Sequence, residues 1–229
     1  MLRKLLARYF PFLGKYKRFL KAAWDSVSLM RLTYSQFGED QIILEIIKRR
    51  SLQSGIYIDA GANHPTDISN SYLLYRMGYR GVCIEPNQEL TSLYKNFRQR
   101  DIILTCGVAD KSGLLPFYIS NTPVLSSFEK KLHHNGQIWK IAFIPLLTID
   151  QVAHAFPDES ILLLSIDVEG LDFQVLRGAV ETLKRTLCVC IEANEGEDQL
   201  KISAFLNALG FEERAKTACN IIFENRATL

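Results

Sequence analysis

The stretch that decides the fold runs Gly55-Ile56-Tyr57-Ile58-Asp59-Ala60-Gly61-Ala62-Asn63. A short apolar strand meets an acid, then a small-residue turn, then a helix-compatible segment. A second apolar run, Gly81-Val82-Cys83-Ile84, ends in another acid, Glu85. This is the layout of a nucleoside-binding α/β unit. Small residues let the backbone approach a ligand, and an acid at the end of the second strand accepts hydrogen bonds from a ribose diol. A plain strand-turn-helix with a capping Asp59 and no ligand would use the same letters.

The turn argues against a dinucleotide. A pyrophosphate needs G-x-G-x-x-G, so that backbone N–H groups at a helix start face the phosphates. Here Gly61 is followed by Ala62, Asn63, His64 and Pro65, and no G-x-x-x-x-G-K-[ST] occurs in the chain. What remains is a nucleoside with a polar, non-phosphate tail. S-adenosylmethionine (SAM) fits that description.

Bulk properties bound the rest. A chain of 229 residues is most simply one domain, 31–229, behind an N-terminal extension, 1–30. The net charge of +2 hides an asymmetry: Arg3, Lys4, Arg8, Lys15, Lys17, Arg18 and Lys21 face no acid up to residue 21, which leaves the remainder acidic. A basic nucleic-acid-binding surface on the main domain is therefore not implied. In 1–24, Leu2, Leu5, Tyr9, Tyr16, Phe19 and Trp24 recur at helical spacing among those bases. Such a segment can lie on an anionic membrane surface; it can equally pack on the domain or clasp a second subunit as a homodimer. Five cysteines, mostly in apolar runs, suggest reduced, buried thiols and a cytoplasmic protein, peripheral at the inner membrane face if the extension docks there. No zinc pattern, signal peptide or run near the ~18 apolar residues of a membrane span is present.

The pattern predicts strands at 56–59, 82–85, 102–106, 161–166 and 187–192, alternating with helices at 68–77, 87–99, 148–155, 172–183 and 197–208. A further helix is expected within 34–50, and a closing hairpin over 211–214 and 220–224. Alternation of buried-type strands with helices argues for a parallel sheet, and the hairpin gives it an antiparallel edge. Residues 112–147 break the rhythm. They read as two extra strands, Leu115–Ser120 and Ile141–Leu146, around a polar, aromatic loop holding His133 and His134. An insert there is expected on the substrate side.

Candidate site residues follow from strand ends. Asp59 orders the glycine turn and can meet a cofactor amino group, while Glu85 holds the ribose. Small residues in Thr105-Cys106-Gly107-Val108-Ala109 can cradle adenine. In Leu164-Ser165-Ile166-Asp167-Val168-Glu169-Gly170 a strand ends in two carboxylates and a glycine. These can deprotonate a hydroxyl acceptor, bind a divalent cation such as Mg together with Glu192, or simply suit a helix dipole. His64, directly after the glycine turn, is a third catalytic candidate.

Five segments in register resemble the FkbM-type SAM-dependent methyltransferases: Tyr34-Ser35-Gln36-Phe37-Gly38-Glu39-Asp40, Ile58–Asn63, Gly78–Asn87, Pro145–Asp150 and Ser165–Gly170. The resemblance covers about 34–225. It implies a Rossmann-like class I methyltransferase fold: a mostly parallel seven-stranded sheet with one antiparallel edge strand and helices on both faces. It also implies methyl transfer to a hydroxyl, most often of a sugar in a glycan, glycolipid or secondary metabolite. On that reading Gln36, Asp59, Gly61, Asn63, Glu85 and Val108 hold the cofactor, and Asp167, Glu169 and His64 serve the acceptor. N-methylation of a protein or small molecule is the rival chemistry. A degenerate fold acting as an interaction protein at a membrane surface is the rival outside enzymes.

Overall fold

The computed structural model describes residues 33–227, apart from 53, 122–125, 129, 131–136, 169 and 194–195. The N-terminal extension, His133, His134 and Glu169 thus lie outside the described residues, and with them the expectations placed on them. The described elements are α1 (Glu39–Arg49), β1 (Ile56–Ala60), α2 (Tyr72–Arg76), β2 (Arg80–Ile84), α3 (Gln88–Phe97), β3 (Ile102–Leu104), β4 (Gly107–Val108), β5 (Gly113–Ser120), β6 (Ile138–Leu147), α4 (Ile149–His154), β7 (Ile161–Ile166), α5 (Asp172–Arg177), α6 (Val180–Leu183), β8 (Thr186–Glu192), α7 (Glu197–Ala208), β9 (Phe211–Lys216) and β10 (Asn220–Asn225).

Seven strands form one sheet in the order β3-β2-β1-β7-β8-β10-β9. The pairs from β3 through β8 are parallel, and β10 runs antiparallel to both β8 and β9. The closing hairpin therefore supplies the antiparallel edge, with β10 the reversed strand and β9 outermost. Strand alternation splits the core in two. Ile58, Ala60 and Leu164 pack with Ile149 of α4, Val175 of α5 and Leu206 of α7. Tyr57, Cys83 and Leu163 pack with Ile43 of α1, Leu74 of α2 and Tyr94 of α3. Helices thus cover both faces, as a sheet buried on both sides requires. Among the described residues no helix is long and apolar enough to cross a membrane. The five cysteines are free and four of them are buried.

Two helices differ from the sequence reading for local reasons. The expected 172–183 helix breaks into α5 and α6 at Gly178. A Cβ there would come within 2.4 Å of the Ala109 carbonyl oxygen. Asp150 restarts the helix by accepting from the Glu181 and Thr182 backbone N–H groups at 3.2 and 2.8 Å. The expected 68–77 helix shrinks to α2, because residues 64–71 form a loop held from outside. Its holder is Arg98, whose guanidinium is fully buried.

Arg98 gathers five groups. Nε donates to Asp101 at 2.6 Å, Nη2 to the Tyr57 and Ser71 hydroxyls at 3.0 and 2.9 Å, and Nη1 to the Ser69 hydroxyl and Pro65 carbonyl, both at 3.4 Å. Its carbon lies 5.4–5.8 Å from the ring centres of Tyr57, Tyr72, Tyr75 and Tyr94. Removing one partner of a buried ion pair leaves an uncompensated charge, at a cost of about 3–5 kcal/mol. Arg98→Met is expected to lower the urea-unfolding free energy by that amount. Arg98→Lys should recover little of it, since an ammonium lacks the planar fork of donors. A loss under ~1 kcal/mol for Arg98→Met would show that the loop is held without this cation.

Candidate functional site

The sheet order places a crevice where β1 leads to β2 on one side and β7 leads to β8 on the other, the usual ligand position in an open α/β sheet. Gly61 follows β1 and Asp167 follows β7, so the two turns face each other. Gly61 has φ +77°, and a Cβ on it would stand 1.7 Å from the Asp167 carbonyl oxygen. Only glycine suits that position. The Gly61 and Ala62 N–H groups both donate to the Ile84 carbonyl, at 2.9 and 3.0 Å, and Asp167 N–H donates to the Ala60 carbonyl at 3.0 Å. Those three bonds knit the ends of β1, β2 and β7 into one floor.

The crevice encloses about 610 Å³, part of it open to solvent, between this floor and the insert. Gly61, Asn63, Glu85, Val108 and Asp167 line it, with Ile84, Leu90, Phe117 and Phe128 among the apolar walls. Glu85 is 6% exposed. One of its oxygens accepts from Asn63 N–H at 3.1 Å and the other from Asn87 N–H at 2.7 Å. Burial raises its pKa to about 7, against the lowering effect of those two bonds and with a further push from the Asp59 charge. Asn63, held at φ +47°, carries a buried side-chain oxygen with no hydrogen-bond partner. That orphan acceptor lies in the lining and suits a ligand donor. The described lining contains two acids, Glu85 and Asp167, and no Lys, Arg or His. Such a site favours a cationic or neutral ligand over a phosphate.

The other candidates lie elsewhere. Asp59 shares the Tyr57 side of β1, the side away from the crevice's apolar wall. It accepts from the Ser71 hydroxyl, which in turn accepts from Arg98. Burial raises its pKa, with Arg98 opposing. It is not among the crevice-lining residues. Its place is in the network that fixes the loop after the turn. Nδ1 of His64 accepts from the Thr66 and Asp67 N–H groups at 3.4 and 3.2 Å, so it shapes that same loop. Gln36 is exposed. The motif around it serves α1: Asp40 accepts from the Thr33 hydroxyl at 2.6 Å and Tyr34 N–H at 2.6 Å, and Glu39 from Phe37 N–H at 2.8 Å. Glu192 lines a separate groove with Asp172, Arg177 and Lys201, so it does not share the crevice with Asp167. Among the described residues no cluster of three metal-ligating side chains occurs.

Sequence reasoning missed the roof. Phe117 of β5 and Ser126, Ser127 and Phe128 of the following loop line the crevice from the insert side. Phe117 and Phe128 pack with ring centres 4.8 Å apart, and Phe128 fills the space where a side chain at Gly107 would stand. The signal was present as an aromatic residue at alternating spacing in an expected strand.

The geometry can be set beside known proteins. A TehB-like SAM-dependent methyltransferase from Corynebacterium glutamicum aligns at 12% identity over 93% of this chain and 100% of its own, with a TM-score of 0.42. A precorrin-6y C5,15-methyltransferase from Geobacter metallireducens aligns at 12% identity over 87% and 93%, with a TM-score of 0.45. No curated protein matches the chain. The methyltransferase FkbM domain family matches residues 59–213, which run from the end of β1 through the crevice and the insert to the first half of β9. On the strength of that match the chain belongs to the FkbM methyltransferase family and is a SAM-dependent methyltransferase.

Proposed function

We propose that the chain methylates a hydroxyl oxygen of a sugar-type acceptor in a glycan, glycolipid or secondary metabolite. The observation that supports it most is the charge of the crevice. Two carboxylates and an orphan amide oxygen, with no base among the described lining residues, suit the cationic sulfonium and ammonium of SAM. SAM, when bound, supplies an activated methyl group. Glu85 would accept from the ribose hydroxyls, since each of its oxygens keeps a lone pair beyond the backbone bond it already makes. Asn63 Oδ1 would take a donor, and Val108 and Leu90 would flank the apolar ring. Asp167 would orient the acceptor hydroxyl and take its proton; most of the acceleration would come from that positioning. A second groove begins at Gly170, three residues on, and is lined by Asp172, Arg177, Asp198, Lys201 and Phe173. Mixed donors and acceptors beside an aromatic ring suit a hydroxyl-rich molecule better than an apolar one. Labelled SAM offered to glycoside and amine acceptors tests the reading, and label carried only by amines would overturn it.

The Glu85 role has a pH signature. A diol binds the ionised carboxylate, so SAM affinity should fall below pH 7, by about tenfold per unit at the limit. The ligand-free stability has the opposite sign. The folded pKa of about 7 lies above the ordinary 4.5, so the folded protein holds the proton more tightly than the unfolded chain. That stability is present in full below pH 4.5 and is lost as pH rises through 7. Glu85→Gln should flatten both profiles. A wild-type affinity independent of pH from 5.5 to 8.5 by calorimetry would remove Glu85 from the ribose.

Asp167 is separable from cofactor binding. Asp167→Asn should cut turnover by about two to four decades and change SAM affinity by less than ~threefold. An equal loss of both would make Asp167 a cofactor ligand instead.

A further inference from the structure

The crevice changes character from one side to the other. In the sheet order its lining runs from Asp167 after β7, through Gly61 after β1 and Glu85 after β2, to Cys106 and Gly107 after β3. The β7-to-β2 stretch carries the two carboxylates and the Asn63 amide. The β3 side carries Cys106, Val108, Phe117 and Phe128, none of them charged. That side is built by the insert. Gly107 and Val108 form β4, which belongs to the three-stranded sheet and pairs with β6 at Leu146 and Leu147.

A short segment, Ser126–Phe128, is pinned to the outer edge of β5. Ser127 bridges Tyr118 in antiparallel fashion. Tyr118 N–H donates to the Ser127 carbonyl at 2.9 Å and Ser127 N–H to the Tyr118 carbonyl at 3.1 Å. Ser120 N–H donates to the Ser126 hydroxyl at 3.1 Å. Those bonds deliver the half-buried Phe128 ring to the crevice, 4.8 Å from the ring centre of buried Phe117. A Cβ on Gly107 would stand 2.5 Å from the Phe128 ring and 2.6 Å from the Leu146 side chain. Unlike Gly61, Gly107 has no positive φ. The demand for glycine there is therefore one of room, not of backbone conformation.

We infer that Phe128 is a cofactor-binding residue: across Gly107 it closes the β3 side of the crevice over the purine ring, so the insert sets how tightly SAM and S-adenosylhomocysteine are held. The inference rests on the reading of this crevice as the SAM site. With a ribose on Glu85 and the cationic tail toward Asp167, the base has the β3 side left to occupy. Phe128, Phe117 and Val108 stand there. An adenine ring presents a flat π-face, and its stacking on an aromatic side chain is indifferent to what lies beyond the base. The contact is therefore the same before and after methyl transfer. A base held under a packed ring also leaves slowly, so Phe128 acts chiefly on dissociation.

The test is calorimetry on the full chain with SAM, S-adenosylhomocysteine and methylthioadenosine, which keeps the base and ribose and lacks the amino-acid tail. Phe128→Ala should raise Kd for all three by the same factor, about tenfold. It should speed S-adenosylhomocysteine dissociation in stopped flow by about that factor. Gly107→Ala pushes the ring aside, so it should cost about as much alone and under ~threefold on top of Phe128→Ala. Phe128→Leu keeps apolar volume without the flat face. It should lose about threefold, and it carries the test if the alanine variant folds poorly. If the probes bind and both Phe128 variants leave every affinity unchanged, the SAM reading stands and the inference falls. It falls too if SAM and S-adenosylhomocysteine weaken while methylthioadenosine does not, because the contact is then with the tail. If none of the three binds the wild type, the crevice is no SAM site and both fall together.

Discussion

One buried guanidinium organises the β1–β2–β3 half of the sheet. Arg98 closes the far end of α3, yet its donors reach Tyr57 in β1, Asp101 before β3, and Pro65, Ser69 and Ser71 in the loop after the glycine turn. Asp101 extends the same contact to β2 by accepting from Gly81 N–H at 2.9 Å. Gly81 is needed for this closeness, since a Cβ there would meet the Tyr57 ring at 2.1 Å. A charge this deep is tolerable only with every donor engaged and aromatic faces around it. Four tyrosine rings and a fully buried carboxylate supply both.

That arrangement divides the acids at the sheet's carboxyl edge between two duties. Asp59 and Glu85 close neighbouring strands, and sequence alone gives them equal standing. Strand alternation separates them. Asp59 lies on the Tyr57 side, where Ser71 links it to Arg98, and Glu85 opens to the crevice with Asn63 and Asn87 steadying it. The Asp59 charge still reaches Glu85 and helps raise its pKa. One carboxylate thus fixes the loop that follows the glycine turn, and the other, its pKa raised to about 7 by burial, opens to the crevice.

Much of this was legible in the chain, and the gaps have physical causes. The strand at 161–166 and the helix at 197–208 coincide with the expected limits, because a continuous apolar run and a run set off by Gly196 and Gly210 admit few alternatives. The insert strands, expected at Leu115–Ser120 and Ile141–Leu146, run longer in the structure, Gly113–Ser120 and Ile138–Leu147. Sequence shows Asp59 at a strand end before the glycine turn; the fold adds its face and its partner, the Ser71 hydroxyl on the Tyr57 side of β1. Arg98 was invisible, since nothing in Phe97-Arg98-Gln99-Arg100 marks the one base that turns inward. Its evidence is spread over Tyr57, Tyr72, Tyr75, Tyr94 and Asp101, residues brought together only by the fold. Gln36 is exposed, and the acids beside it act locally: Asp40 and Glu39 fold residues 33–37 back onto the start of α1.

The insert is where this scaffold departs from a bare α/β sheet, and its two faces obey different demands. Toward the crevice it must exclude water, so Phe117 and Leu146 are buried and Phe128 packs against Gly107. Away from it, the alternation that buries those residues must send their neighbours outward. In an ordinary surface sheet those neighbours are polar. Here they are Leu114, Ile141 and Phe143, and β5 with β6 is too short a ribbon to hide them. A two-stranded ribbon on its own is marginal in water, so the insert holds its shape through its inner face: Phe117, Phe128 and Leu146 tie it to the wall of the crevice, and the pairing of β6 with β4 at Gly107 and Val108 ties it to two residues that line the same crevice.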